Sequence, residues 1–438
     1  MPYAPRVRVT LVCAATALLA AACIHIPPKP IEPETTARDL ESRSLADARL
    51  KHSGTSWTLD DLTRAALLFH PDLDVARAEA AVARAAIATA AERPNPNASL
   101  PIEHKSEVHP WITVLDVDFT IETANKRGLR VRHAEDLTRA ADLTIAQDAW
   151  QIRSAIRQQL VALTTADESS AILARQRDIQ NDLVEALQKR FELGEGSQIE
   201  LTQARISARQ TDLLLRDRQG AVTTARARLA AAVGVPQAGL GDATFAFDPH
   251  KFPYPNLADL REQALRARPD ILVSLANYAA AESDLRLELA RQYPDLHIAP
   301  GFGWDQGAAR WDLGFASIAP IFSRNRGAIG EAEARRSAAE SRFVALQARV
   351  IGSIEIASAQ YDSALKKLNA AESAFQLQRT QTDRIEAQFK AGQIDRVALR
   401  TAELELVSAE LARADATAQA QDALGAIEDA LEQPLESR

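Results

Sequence analysis

Two hydrophobic periods run through this chain, one helical and one of period two. Leu201, Ala208, Leu215, Val222 and Leu229 recur every seventh residue, with Ala204, Ala225 and Ala232 on a companion position. Ile354, Tyr361, Leu368 and Phe375 repeat the pattern beside Ala357, Ala364 and Ala371. Large residues alternating with Ala along a heptad let helices approach closely in a supercoil. A plain soluble bundle would carry the same seam. Proline placement predicts the lengths: none falls between Pro110 and Pro236, nor between Pro320 and Pro434. Each stretch has room for a helical hairpin, with Gly194-Glu195-Gly196 and Gly392 at the turns. A continuous helix from Lys126 to Arg190 would run about 95 Å at ~1.5 Å per residue.

The period-two stretches predict strands. Leu115, Val117, Phe119 and Ile121 alternate with Asp116, Asp118, Thr120 and Glu122, giving one apolar and one acidic face. Asn97 to Lys105 precedes them, with Ala98, Leu100 and Ile102 apolar. Leu296, Ile298, Phe302 and Trp304 line a third strand, and Trp311, Leu313 and Phe315 begin a fourth. Each is near the ~9–11 residues that a tilted membrane strand needs. Trp111, Trp304 and Trp311 stand at the hairpin ends, where an interfacial aromatic girdle sits. Pro101 and Pro300 are unfavourable in two of the strands. Four strands cannot close a membrane barrel, so strands that span a bilayer must be shared between chains. Two chains would give a filled barrel of eight strands; three would give twelve and room for a pore.

The chain is a tandem duplication. At one offset Leu59, Asp61 and Leu62 match Leu257, Asp259 and Leu260, and Pro71-Asp72 matches Pro269-Asp270. Arg93, Pro96, Phe191, Gly194 and Pro236 match Arg291, Pro294, Phe389, Gly392 and Pro434. Matched Pro and Gly mark backbone geometry, so they outweigh matches among the many alanines. The predicted organisation is a signal peptide over 1–22 and a lipid-anchored, Pro-rich arm over 23–57. A first repeat follows over 58–236, with a β-hairpin at about 97–124 and a helical tip at about 191–197. A linker over 237–255 leads to a second repeat over 256–434, with a hairpin at about 295–322 and a tip at about 389–395, then a tail over 435–438.

Composition narrows the class. The chain has a net charge of −8, which argues against a nucleic-acid partner. Aromatics are only 5%, fitting close helical seams better than a bulky globular core. No apolar run after the N-terminus is long enough for a membrane helix, so any crossing must use strands. Arg6 and Arg8 precede the apolar run Val9–Ala22, an export signal. Leu18-Leu19-Ala20-Ala21-Ala22-Cys23 resembles a lipoprotein signal, although Ala20 stands where Leu is preferred; ordinary cleavage after Ala22 is the alternative. Cys13 would leave with the signal, so Cys23 is the one mature cysteine and cannot form an internal disulfide. Acylation (a palmitate-type lipid) at Cys23 is the expectation, and Ile24 after it resembles a signal for outer-membrane sorting. Pro27, Pro28, Pro30 and Pro33 predict a stiff extended arm.

Several segments resemble the outer-membrane efflux protein (TolC-type) family: Trp57-Thr58-Leu59-Asp60-Asp61-Leu62, His70-Pro71-Asp72-Leu73, Arg93-Pro94-Asn95-Pro96, Ile121-Glu122-Thr123-Ala124-Asn125-Lys126-Arg127-Gly128 and Arg190-Phe191-Glu192-Leu193-Gly194. The Pro-Asn-Pro and Asn-Lys-Arg-Gly pieces resemble most the branch that works with heavy-metal exporters of the resistance–nodulation–division (RND) class. The resemblance implies an α+β membrane protein. In it a long coiled-coil α-helical barrel joins a β-barrel shared between chains, four strands from each and twelve in a homotrimer. It also implies outer-membrane lipid around the barrel, a periplasmic membrane-fusion adaptor and an inner-membrane exporter as partners. The function implied is that of a passive duct for efflux.

The same resemblance marks Leu193-Gly194-Glu195 and Ala391-Gly392-Gln393 as tips that meet the adaptor. The family's Val is absent from both, and each Gly also reads simply as a helix end. Where some relatives carry an acidic ring near the closed entrance, this chain has Ala398 and Thr401. Asp395, Arg396 and Arg400 stand nearby, as a possible gate or as a solvated helix face, with Asp383 and Glu386 as candidate partners. No His-Glu-x-x-His, phosphate-binding glycine loop or Gly-x-Ser-x-Gly occurs, so no catalytic residue, cofactor or metal site is expected. The eight histidines are scattered, none at metal-ligand spacing. A lipid-anchored periplasmic coiled-coil scaffold is the rival class. It would not need alternating hairpins ending in Trp. An inactive secreted hydrolase is a second rival, without any nucleophile constellation.

Overall fold

A computed structural model describes residues 26–48, 56–104, 111–253, 257–305 and 308–435. The export signal and Cys23 lie outside the described residues. Two compact units are present, one ending at Arg43 and one from Ser44 onward. In the first, the prolines keep 26–32 without regular structure, but the arm is not extended throughout. Helix α1 (Pro33–Glu41) starts on Pro33 at its first position, where the missing N–H costs nothing, and Glu34 sits in its first turn. Nor does the arm run to residue 57: Leu45 and Ala48 are buried in the second unit, and Ser56–Thr58 (β1) is a strand of it.

In the second unit each repeat opens with two short helices broken at a proline. Thr58 and Asp61 form a capping box at the start of α2 (Leu59–Phe69). His70 ends α2 and caps α3 (Pro71–Ala91), its Nδ1 accepting from the N–H of Asp72. Strands β2 (Asn97–Ser99), β3 (Ile102–His104) and β4 (Trp111–Ile121) follow. Helices α4 (Lys126–Glu192, 67 residues) and α5 (Gln198–Val233) form the first long hairpin. At ~1.5 Å per residue α4 is about 100 Å long.

The stretch expected to be a linker is built into the fold. It holds β5 (Thr244–Ala246), parallel to β1, with Trp57 opposite Phe245. Tyr361 donates to the Pro253 carbonyl at 2.9 Å, and Gln421 donates to that of Pro249 at 2.7 Å. The second repeat runs α6 (Leu257–Ala267), α7 (Pro269–Ala290), β6 (Leu296–Asp305), β7 (Ala308–Ser317), α8 (Arg326–Lys390, 65 residues) and α9 (Arg396–Leu431).

The heptad seams pack as their period requires. Leu201, Ala208, Leu215 and Leu229 are buried, as are Ile354, Ala357 and Tyr361. One core cluster, around Leu62, Leu73, Ile156, Leu160 and Leu229, ties the first repeat together; another, around Ile271, Ile354, Leu424 and Leu431, ties the second. Helix α4 packs against α5 on one side and α9 on the other, and α9 packs against α8. The four long helices therefore lie in the order α5–α4–α9–α8.

A buried polar joint locks α4 to α9. Arg157 meets Glu428 at 3.1 Å and donates to Gln421 Oε1 at 3.0 Å, while Arg153 reaches Glu428 at 3.4 Å. Gly425 leaves the space that the Arg157 guanidinium fills. Burial pulls the Arg157 pKa down, while Glu428 opposes that shift. Removing one partner of such a pair strands the other charge, at about 3–5 kcal/mol.

The sheet order is β2/β3–β4–β6–β7, antiparallel throughout. Pro101 falls in the break between β2 and β3. Pro300 lies inside β6: its pairing with Leu313 of β7 is intact, but the ladder to β4 is interrupted opposite it, at Val117 and Asp118. Pro has no N–H to give that side.

Candidate functional site

The sheet has two unlike faces. Trp111, Leu115, Phe119 and Ile121 on β4 share one with Trp304, Trp311, Leu313 and Phe315, all exposed in the single chain. Phe302 joins this face, its ring 4.5 Å from that of Trp311 and 4.9 Å from that of Trp304. The opposite face is polar. His297 Nδ1 lies 3.2 Å from Asp118 and 3.4 Å from Thr120 Oγ1, and Arg310 lies 2.8 Å from Asp312. Gly301 stands between Asp116 and Asp312, where a Cβ would collide with the Asp116 carboxylate. Small residues in the middle of β6 leave room for the acids of its neighbours. Among the described residues both outer strands, β7 and β2/β3, have an unpaired edge.

The sheet is fixed to the long helices by ion pairs at its base. Lys126, at the start of α4, reaches Asp295 at 2.6 Å and the Tyr293 carbonyl at 2.6 Å. Arg130 pairs with Glu122, and that hydrogen bond raises the arginine pKa. Asn125 and Asn325 take the left-handed conformation with φ of 57° and 58°, turning the chain from strand into helix at matched places. Asn is among the residues that tolerate it best.

The tips are built alike. Gly194 (φ 76°) and Gly392 (φ 73°) end α4 and α8. The Gly194 N–H donates to Phe191 O at 3.0 Å, and the Glu195 N–H to Arg190 O at 2.9 Å. Gly392 and Gln393 repeat the pair onto Phe389 and Gln388. This is a Schellman ending, which favours Gly. Leu193, Glu195, Ala391 and Gln393 are exposed around the two glycines.

The charges expected to form a gate have other partners. Asp395 is the N-cap of α9, accepting from the Ala398 N–H at 2.8 Å, and it meets Arg190 at 3.4 Å. Arg400 pairs with Asp182 on α4 and with Glu403, both at 2.6 Å, and Arg396 reaches Asp182 at 3.4 Å. The Glu403 hydrogen bond holds the Arg400 pKa up. Asp383 and Glu386 are not the partners; Glu386 pairs with Lys390 on its own helix. Asp182 lies 218 residues from Arg400 in sequence, and its spacing gives no sign of the contact. A signal existed in the duplication: Thr380, Gln198 and Thr202 stand at the counterparts of Asp182, Arg396 and Arg400. Each of the three charges is uncharged at its counterpart in the other copy. Among the described residues no group of His, Cys, Asp and Glu is placed to hold a metal ion, and no helix is long and apolar enough to cross a membrane.

The fold, with paired repeats, long antiparallel hairpins and an open sheet of split faces, is similar to that of solved outer-membrane proteins. The outer membrane efflux protein family model matches residues 260–432, most of the second repeat. The chain is 25% identical to the cobalt-zinc-cadmium resistance protein CzcC of Cupriavidus metallidurans, over 61% of this chain and 64% of that one. It is also 25% identical to the pyoverdine export outer membrane protein OpmQ of Pseudomonas aeruginosa, over 61% and 62%. The matches thus span less than two thirds of either relative. The outer membrane protein VceC of Vibrio cholerae shares the fold with a TM-score of 0.70 at 21% identity, covering 86% of this chain and 97% of that one. For the outer-membrane channel OprN the TM-score is 0.71 at 19% identity, with 94% and 98% covered.

Proposed function

We propose that this chain is the outer-membrane duct of a tripartite efflux system, assembled as a homotrimer. The observation that carries the reading is the sheet: four strands, counting β2 and β3 as one strand broken at Pro101, with one exposed apolar face, one charged face and two open edges. Such a sheet is intolerable in lipid unless several copies close it. Three copies supply twelve strands, enough to leave a water-filled lumen lined by the acidic face. A periplasmic membrane-fusion adaptor would dock at the helical tips, and an inner-membrane exporter would deliver the cargo.

The exporter is proposed to be of the RND class that handles heavy-metal ions. The Asn-Lys-Arg-Gly segment and the likeness to CzcC support this. Acylation at Cys23 would add an anchor, but a single acyl chain binds membranes only marginally. The barrel is therefore the main hold.

The test is membrane fractionation with heated and unheated electrophoresis. A heat-labile trimer extracted only by detergent supports the duct. Release without detergent would point to the periplasmic scaffold instead. Resistance to cobalt, zinc or cadmium restored in a host lacking its own duct tests the cargo class. A trimer that assembles there without restoring resistance would remove heavy metals as the cargo.

A further inference from the structure

The two copies differ in how their charges are matched where the sheet joins the long helices. Before the hairpins they align at one offset, Pro96 with Pro294; after them the offset is two residues larger, Asn125 with Asn325. Arg291 pairs with Glu288, but the counterparts of the two are Arg93 and the uncharged Ala90. Lys126 pairs with Asp295, but their counterparts are Arg326 and the uncharged Asn97. Glu122 pairs with Arg130, and its counterpart is Phe322. Arg127 and Arg324 are additions, with Gly327 and Ala124 as counterparts. Bases are kept or added, while acids are dropped.

The result is a set of guanidinium groups without acid partners. Among the described residues no carboxylate is within ion-pair reach of Arg93, Arg127, Arg324 or Arg326. No acid stands in the first turn of α4 or α8. Arg127 donates from Nε to the Ala91 carbonyl, which leaves its terminal nitrogens free. Arg93 and Arg127 line one cleft of about 610 Å³ between the end of α3 and the start of α4. The acid in that cleft, Glu122, is taken by Arg130. Ile121, the last of the apolar row on β4, lines the cleft too. In the second copy Ile318, Ile321 and Phe322 lead into Arg324, and all three are exposed, Phe322 completely. This happens in a chain whose net charge is −8.

We propose that this base binds the phosphate of anionic phospholipid headgroups, in the bilayer leaflet next to the long helices. A guanidinium matches a phosphate with two parallel hydrogen bonds. Ile121, Ile321 and Phe322 then meet the acyl chains, continuing the apolar face of the sheet. A dissolved anion would gain nothing from those side chains. A protein docked at the tips is about 100 Å away, at the far end of α4. Unpaired cations at a membrane surface favour net-negative lipid over zwitterionic lipid. The assignment rests on the duct reading, which puts the sheet in a bilayer, and it names the lipid that reading leaves unspecified.

Native mass spectrometry of the full-length trimer reads the preference. The trimer, purified in dodecyl maltoside, is given equal amounts of dioleoyl phosphatidylglycerol and dioleoyl phosphatidylcholine. Wild-type trimer should retain the phosphatidylglycerol in clear excess. R93Q, R127Q, R324Q and R326Q together should cut that excess about tenfold or more. R93K, R127K, R324K and R326K together should keep most of it. R209Q, R218Q, R379Q and R384Q make the same charge change on exposed faces of α5 and α8 and should leave it unaltered.

Equal retention of both lipids by intact wild-type trimer overturns the assignment, as does an equal loss in the α5 and α8 control. Displacement of the lipid by sodium phosphate, but not by sodium chloride at equal ionic strength, overturns it in favour of a free-phosphate site. If the fourfold Gln variant does not assemble, R93Q/R127Q and R324Q/R326Q are read separately, and an undiminished preference in both overturns it. All of these outcomes leave the duct reading in place. Wild-type protein that leaves the membrane fraction without detergent overturns the duct reading itself.

Discussion

Arg400 on α9 and Asp182 on α4 meet at 2.6 Å, although 218 residues separate them in sequence. Arg396 converges on the same carboxylate, so one acid of the first repeat holds two cations of the second near the tips. If this cluster keeps the periplasmic mouth closed, Asp182→Asn should raise single-channel conductance in planar bilayers without any adaptor. Arg400→Ser should do the same, and the double variant should add little. Each partly exposed pair is worth only ~0–1 kcal/mol, so the mouth should loosen while the trimer survives. Unchanged conductance in all three would leave the cluster as an intrachain brace.

The two faces of the sheet should differ in tolerance. Phe119→Lys should cost about 2–4 kcal/mol per chain if the residue sits near the bilayer midplane. Asp118→Asn, on the polar face beside His297, should be nearly neutral. Denaturant titration of protein folded into lipid vesicles measures both. Equal costs would mean that the strand does not separate lipid from water.

The hairpins, the long helices and the tips were legible because each rests on local rules. Proline spacing bounds α4 and α8, period two marks β4, and a left-handed Gly ends each helix. The charge cluster was not legible in the same way. Arg396 and Arg400 show a shared helix face through their spacing, but not which helix faces them. Asp182 lies on that helix, while the nearer Glu386 is taken by Lys390. The arm departs from the extended form for a related reason. Prolines argue for extension only as far as they continue, and after Pro33 the sequence offers helix formers and then Leu45, which finds a core to enter.

Glu432 should make stability depend on pH. Burial raises its pKa from 4.5 to about 7; Arg268 at 3.1 Å opposes the shift, and Asp270 and Asp429 add to it. A raised carboxyl pKa means that the folded state binds a proton that the unfolded state has released. Stability from this group is therefore greatest at low pH and is lost as pH rises from about 4.5 to about 7. The whole effect is about 3 kcal/mol. Glu432→Gln should flatten the profile in that window and raise the melting temperature at pH 8. The residue also holds φ 49°, where its counterpart is Gly234. Glu432→Gly should therefore be tolerated despite losing the contact to Arg268.

The tips allow a sharper separation of structure from docking. Gly194 and Gly392 both need a left-handed backbone, and in both a Cβ would meet nothing within 4 Å. A substitution there can harm the fold only through φ, because no neighbour is crowded. Asn accepts this conformation better than other side chains, so Gly194→Asn with Gly392→Asn should keep the Schellman endings. It should lower the melting temperature of the trimer by no more than a few degrees. If an adaptor's helical hairpin seats closely on the bare backbone beside Leu193 and Ala391, the added side chains should nevertheless abolish its capture on the purified trimer. Gly194→Ala with Gly392→Ala should weaken capture less per atom added, but strain the backbone more, at ~1–2 kcal/mol per site. Capture that follows melting temperature across the two pairs would make the glycines helix ends alone. Capture lost in the Asn pair, with stability kept, would make them part of the docking surface.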